Sequence, residues 1–303
     1  MTYDTASVYR ARTEAAVIFN SIADAAAYIR EQMVNRAETV TFHFDTASDD
    51  FKGMAAAMMD EAVRHTGQST EGDYLAFQYG GWQMSCSYSG SGADRDVVYT
   101  FHLGYYTTKE QETAVTDSLA RVYKEIGLSM SESEYSRFKK IYDYVIAHVT
   151  YDSTHVGNAS YKLPHTAYAA LINKTCVCQG YTVLMYRMLL DWGIDTRIIS
   201  GSADNAPHAW NIVRIGDLYY NADATWETAQ EGYQYMLKGS NTFSDHEAAA
   251  RFLTEEFRKE YPLAENSYLE DPYSVIAVSL NQTFLLINIR SQSNKRREDT
   301  RIS

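Results

Sequence analysis

The stretch CVCQGYT, residues 176–182, places two of the chain's three cysteines on either side of one valine. Four interpretations are open: a redox pair, half of a metal site, a part of the core, or the setting of a nucleophile. Apolar residues follow at intervals of three and four as far as Trp192, and Gly193 comes next. This spacing predicts an amphipathic helix with a glycine just after its C-terminal end.

Cys178 falls in the first turn of this predicted helix, whereas Cys176 precedes the helix. The unpaired backbone N–H groups and the positive end of the helix dipole at that position favour a thiolate over a thiol. The sequence therefore favours Cys178 as a nucleophile.

The metal and redox interpretations have less support. A closed zinc site takes four ligands, yet the sequence has no second cysteine pair and no histidine at a short ligand spacing. A thioredoxin-like site has two residues between its cysteines, and here there is one. We therefore expect no metal and no cofactor. The third cysteine, Cys86, is flanked by strand residues and is expected to be a buried small hydrophobic residue.

A histidine and an acid follow on a predicted hairpin. Residues 207–226, PHAWNIVRIGDLYYNADATW, alternate on both sides of Gly216-Asp217, a dipeptide suited to a type II′ turn. If the residue before that dipeptide pairs with the residue after it, His208 and Asp223 lie on one face of the sheet as diagonal neighbours. Their backbones are then about 7–8 Å apart. If each strand were instead shifted by one residue at the turn, these two residues would lie directly opposite each other. If only one of the strands were shifted by one residue, they would lie on opposite faces of the sheet.

Each of these residues has a plainer interpretation by itself. A cysteine at a helix start is more often a packing residue, a strand histidine is usually structural, and an aspartate near a strand end is usually a turn or cap residue. Their occurrence together on adjoining elements makes a triad of Cys178, His208 and Asp223 the favoured hypothesis.

The segments CVCQGY, PHAWNIV and YYNADATW resemble the three core motifs of the transglutaminase-like superfamily, most closely its bacterial extracellular branch. The resemblance covers roughly residues 130–235. It implies an α+β fold with a papain-like core, in which a helix carrying the cysteine packs on an antiparallel sheet carrying the histidine and the aspartate. It assigns the nucleophile to Cys178, the base to His208 and the orienting acid to Asp223.

The superfamily includes protein cross-linking enzymes, proteases, peptide N-glycanases and inactive scaffolds. The resemblance thus implies a cysteine-dependent acyl transferase or hydrolase that acts on glutamine carboxamides or peptide bonds of protein substrates through a thioester. A cysteine protease of the same fold is the alternative, and a non-catalytic surface or scaffold module is the rival from another class. A redox protein using both closely spaced cysteines is a third possibility.

Candidates for contacting the substrate or the oxyanion are spread between residues 151 and 226. The backbone N–H of Cys178 is one candidate oxyanion donor. Gln179 lies inside the predicted nucleophile helix, where a structural role is the simpler interpretation. The side-chain candidates are Tyr151, His165, Gln179, Trp210 and Trp226. Tyr151 is the candidate for a second oxyanion donor, and His165 is expected to line the same cleft. The tryptophans are expected to wall the site or pack in the core.

The chain is predicted to have two domains and a tail. Residues 1–127 form a small α/β module of unknown role, with helices at 20–35 and 51–65, strands at 39–44, 74–88 and 96–106, and a helix at 107–127 that leads on to the core. Residues 128–290 form the catalytic domain, with a helix at 131–149, capped by Ser131, and a short helix or turn at 165–174. Residues 291–303 form a disordered tail.

The composition limits the partners. A net charge of −12 argues against nucleic acid or an anionic membrane as the main partner. A protein or peptide substrate is what the resemblance implies. No stretch approaches the roughly 18 consecutive apolar residues of a membrane span, so no membrane insertion is expected. The N-terminal MTYDTASVYR lacks the regions of a signal peptide, whereas the resemblance implies an extracellular or cell-surface protein. Compartment and oligomeric state stay open.

Overall fold

The computed structural model describes residues 17–92, 95–158, 160–227 and 233–269. The expected disordered tail at 291–303 lies outside these residues, and so does the N-terminal stretch MTYDTASVYR. The described residues from 17 to 266 belong to one compact unit. The expected domain boundary at residue 127 stays a prediction.

A four-stranded sheet with two helices on one face forms the N-terminal part. Its elements are β1 (Ile18–Phe19), α1 (Ile22–Val34), β2 (Thr39–Asp45), α2 (Phe51–Ala62), α3 (Asp73–Ala76), β3 (Tyr79–Ser89) and β4 (Asp96–Tyr105). The strand order is β1-β2-β4-β3, parallel between β1 and β2 and antiparallel elsewhere. Phe42, Tyr99 and Phe101 lie in a core that also contains Ile29 of α1 and Met58 of α2.

Two sequence expectations were wrong in this part. The start of the predicted strand at 74–88 forms the helical turn α3, and β3 begins only at Tyr79. Cys86 is exposed rather than buried. The reason is that β3 is an edge strand of the sheet and is exposed from residue 85 to its end at residue 89.

The second part is a helical layer on another antiparallel sheet. Its elements are α4 (Lys109–Glu125), α5 (Glu134–His148), β5 (Thr150–Tyr151), β6 (Thr175–Cys176), α6 (Cys178–Asp191), β7 (Thr196–Ala203), β8 (Ala206–Ile215), β9 (Leu218–Ala222), α7 (Ala224–Glu227), β10 (His246–Ala248) and α8 (Glu255–Glu260). The short helix or turn predicted at 165–174 is divided between a 3₁₀ turn, Leu163–His165, and a π-helical turn, Ala169–Asn173. The sheet has the order β10-β7-β8-β9, and β5 and β6 form a separate parallel pair.

The α+β class expected from the sequence is confirmed, and so is the hairpin register. Ile215 pairs with Leu218, and Gly216 has a φ of 64°, as the first central residue of a type II′ turn requires. Gly193, with a φ of 69°, follows α6 as predicted. The cap of α5 was predicted wrongly. Ser133, not Ser131, accepts the first-turn N–H, because Ser131 shares a hydrogen bond with Ser129 instead.

Helix α6, which carries Cys178, contacts both the sheet and the N-terminal part. Asp73 of α3 accepts hydrogen bonds from the Arg197 guanidinium at 2.8 and 3.1 Å and from the Ile198 N–H at 2.8 Å. The Gln179 amide on α6 donates to the carbonyl of Phe77. These bonds fix the start of α6 and the strand β7 relative to α3. Among the residues that the structure describes, no helix has the length and apolar composition that a membrane span needs.

Candidate active site

The first turn of α6 places Cys178 at the helix N-terminus. The N-cap residue Val177 makes no side-chain capping bond, so the leading N–H groups are not satisfied by a cap. Gly180 allows this turn to pack closely: a Cβ there would lie 2.5 Å from Cys176 Cβ and 2.8 Å from both Cys176 Sγ and the Pro164 carbonyl oxygen. The glycine in CVCQG therefore sets the position of the candidate nucleophile.

The two neighbouring cysteines have different environments. Cys176 is fully buried, and burial, followed by the nearby Cys178, raises the pKa of its thiol well above the usual value. Cys178 is partly exposed, and both cysteines are free thiols. Cys176 is thus a packing residue, while Cys178 can be reached from solvent.

His208 on β8 and Asp223 just after β9 lie on one face of the sheet, as predicted. His208 Nε2 is 2.7 Å from Asp223 Oδ2. The other carboxylate oxygen accepts the backbone N–H groups of Thr225 at 2.9 Å and Trp226 at 3.3 Å. Asp223 is therefore held by the start of α7 and aimed at the imidazole.

The protonation of His208 reflects both of its partners. Burial lowers the pKa of the imidazole, but hydrogen bonds with Asp223 and then Cys178 outweigh burial and raise the pKa to about 9. Because Nε2 faces Asp223, Nδ1 is the nitrogen left for the thiol. Burial raises the pKa of Asp223, yet bonds from His208 and His246 outweigh that effect, so the carboxyl pKa lies below its usual value. The imidazole of His208 thus connects the thiol of Cys178 with the carboxylate of Asp223.

A second histidine on the same carboxylate was missed from the sequence. His246 Nε2 lies 3.1 Å from Asp223 Oδ2, and His246 Nδ1 lies 2.8 Å from Asp245 Oδ1. His246 is 23 residues beyond Asp223 on β10, which reaches the site only because it pairs with β7. No motif or periodicity in the sequence predicts the pairing of β10 with β7.

Two tryptophans pack beside His208. The ring centroid of Trp226 lies 5.5 Å from that of His208, and the ring of Trp210 stacks at 6.3 Å. Trp210 is buried and donates its indole N–H to Asn221 Oδ1 at 3.0 Å. The half-buried Trp226 can therefore wall the cleft, whereas Trp210 supports His208 from within the core.

The remaining candidates lie on the helix side of the site. Tyr151 has 44% of its surface exposed, and its pKa is raised by partial burial and then by the electrostatic effect of Cys178. Gln179 donates its amide N–H to the Phe77 carbonyl, and its side chain also forms a hydrogen bond with His165. Burial lowers the pKa of His165. In this arrangement Gln179 joins α6 to the N-terminal part.

His208, Asp223 and His246 are also the cluster that could offer ligand atoms to a metal, all within 4.8 Å of one another. In the structure they hydrogen-bond to one another instead, since His208 Nε2 and His246 Nε2 lie 2.7 and 3.1 Å from the same Asp223 oxygen. The cluster offers three ligand atoms, one fewer than the four that a closed zinc site takes.

One segment of the chain matches the model of a known family. Residues 123–226 match the family model of the transglutaminase-like superfamily. One similar solved structure is a TGase, 18% identical, covering 69% of this chain and 59% of that chain, with a TM-score of 0.36. A candidate cysteine protease from Cytophaga hutchinsonii is 17% identical, covering 48% of this chain and 65% of that chain, with a TM-score of 0.30.

A candidate protease from Parabacteroides distasonis ATCC 8503 is 8% identical, covering 60% of this chain and 39% of that chain, with a TM-score of 0.27. The chain thus spans less than two thirds of the length of each of these three structures. No curated protein matches the chain. The family match assigns residues 123–226 to a domain of the transglutaminase-like superfamily.

Proposed function

We propose that the protein is a cysteine-dependent acyl transferase or hydrolase acting on glutamine carboxamides or peptide bonds of protein substrates. Cys178 is the nucleophile, His208 the base and Asp223 the orienting acid. The observation that carries the proposal is the 2.7 Å bond between His208 Nε2 and Asp223 Oδ2, on an imidazole whose pKa Asp223 and Cys178 together raise. An imidazolium of this kind stabilises a neighbouring thiolate.

In the first half-reaction, Cys178 Sγ attacks the carbonyl carbon of the substrate. The C–N bond breaks as His208 gives its proton to the departing nitrogen, which leaves as ammonia or as a new amino terminus. The acyl group stays on Cys178 as a thioester. The N–H of Cys178, the first residue of α6, has no partner within the helix and supports the developing oxyanion.

In the second half-reaction, water or a lysine amine attacks the thioester. His208 takes the proton of the incoming nucleophile, and the Cys178 sulfur leaves, which restores the free enzyme. The net charge of −12 attracts lysine-bearing partners and favours transfer, although this attraction fades as salt rises.

The test offers a dansylated amine together with a glutamine-rich protein and follows dye incorporation, ammonia release and new amino termini in parallel. Dye incorporation indicates transfer, ammonia without dye indicates deamidation, and new amino termini indicate proteolysis. Cys178→Ala should abolish whichever signal appears, while Cys86→Ala, which removes an exposed thiol outside the site, should leave it intact. A Cys178→Ala protein that matches the parent in all three readouts would support the scaffold function instead.

A further inference from the structure

His246 shares one carboxylate oxygen with the proposed catalytic base. Asp223 Oδ2 receives His208 Nε2 at 2.7 Å and His246 Nε2 at 3.1 Å. The side chains of His246 and Asp223 are both fully buried. Water therefore does not compete with these bonds, and each is stronger than it would be on the surface.

The hydrogen-bond count assigns a positive charge to His246. Its other nitrogen, Nδ1, lies 2.8 Å from Asp245 Oδ1, so both ring nitrogens face carboxylate oxygens. A neutral imidazole has one N–H and would point a lone pair at one carboxylate, whereas the imidazolium donates to both. Other titratable groups nearby are His208, with ring centroids 5.3 Å apart, and Tyr235, at 5.9 Å, whose hydroxyl donates to Asp245 Oδ2 at 3.1 Å.

Aromatic rings fix the plane of the His246 imidazole. Phe243 stacks on it with ring centroids 3.9 Å apart and an interplanar angle of 20°. Trp226 and Trp210 approach at 4.7 and 5.0 Å. Such rings hold the imidazole in one orientation, and their faces favour a cation.

We propose that His246 is a positioning residue, which holds the Asp223 carboxylate in place for His208 and offsets part of its negative charge. The proposal rests on the roles proposed above for Cys178, His208 and Asp223. Its consequence is that His246 limits the pH range over which the imidazolium of His208 persists beside the thiolate of Cys178. A like charge on a shared carboxylate disfavours the charged form of its neighbour.

The test measures alkylation of Cys178 as a function of pH, because that reaction needs no substrate. Iodoacetate, an anion, is attracted by a protonated His208, so its rate relative to the neutral iodoacetamide falls as His208 loses its proton, near the pKa of about 9 in the parent. The midpoint of that fall reports on His208. Two variants separate charge from donor: His246→Gln keeps a neutral amide donor, and His246→Phe keeps only an aromatic ring.

For His246→Gln, the midpoint is expected to rise by about half to one pH unit, since a neighbouring charge is removed. For His246→Phe, the iodoacetate rate at neutral pH is expected to fall about ten-fold or more, because Asp223 Oδ2 then loses the second donor that fixes it opposite His208, and only Oδ1 stays held by α7. A Gln variant with the parent's midpoint, or a Phe variant with the parent's rate, would overturn the proposal. If the parent lacks acyl transfer and hydrolysis but the midpoint still shifts, the proposed reaction fails while the role of His246 stands.

Discussion

Replacing Asp223 by asparagine is expected to flatten the pH dependence of folding stability between pH 6.5 and 9. The pKa of His208 rises from its usual value of 6.5 to about 9 in the folded protein. Between those values the folded state holds one proton that the unfolded state has lost, so the free energy of unfolding falls with pH at about 1.4 kcal/mol per unit. Over about 2.5 units the loss is about 3 kcal/mol.

The sign follows from the direction of the shift. A raised histidine pKa stabilises the fold fully below pH 6.5, and that stabilisation is lost as pH rises through about 9. Asparagine carries no charge, so Asp223→Asn removes the main contribution that raises the pKa and leaves the burial of His208, which lowers it. Stability of the variant should therefore change little across this window.

Urea unfolding at fixed ionic strength, from about pH 5.5 to about pH 9.5, measures this slope directly. The parent and the Asp223→Asn variant are also compared in a Cys178→Ala background, which lacks the thiol that partners His208. A parent whose unfolding free energy is flat across the window, or an Asp223→Asn variant that keeps the parent's slope, would refute the assigned charge pairing.

Four further outcomes are expected. Cys178 should be carbamidomethylated first at mildly acidic pH, as peptide mass mapping would show; preferential labelling of Cys176 would move the nucleophile. Asp223→Ala should lower kcat/KM less than Cys178→Ala, since nucleophile and base remain, and equal losses would contradict this order. Gly180→Ala should cost about 1–3 kcal/mol in urea unfolding, because its Cβ would lie 2.5 Å from Cys176 Cβ, and an unchanged midpoint would count against this packing. Asp73→Ala should cost about 3 kcal/mol in the same assay because a buried guanidinium loses its carboxylate, and a loss below about 1 kcal/mol would argue otherwise.

Local patterns were sufficient to predict the part of the site that neighbouring residues determine. Helical spacing after Cys178 and the glycine at 193 defined α6, and its start determines where the thiol lies. The Gly216-Asp217 turn defined the hairpin register, and parity along two strands then put His208 and Asp223 on one face. Turn chemistry and strand alternation act over a few residues, so a single sequence contains them.

Contacts between distant segments could not be predicted in this way. His246 reaches Asp223 through the pairing of β10 with β7, and Gln179 meets Phe77 across 102 positions of the chain. Cys86 has a strand pattern around it, but its exposure depends on β3 being an edge strand. Sheet order and tertiary packing decide these cases, and neither leaves a periodic trace in the residues concerned.

The hydrogen bonds between the α3 segment and the superfamily domain also restrict which substitutions can be inherited independently. The segment matched by the superfamily begins at residue 123, yet Arg197 and Gln179 within it take their partners from Asp73 and Phe77 outside it. A lineage that exchanged its N-terminal part for another would have to supply a new acceptor for each. Selection on the two parts is therefore coupled, and a substitution that removes either partner is expected to be inherited with a compensating change in the other part.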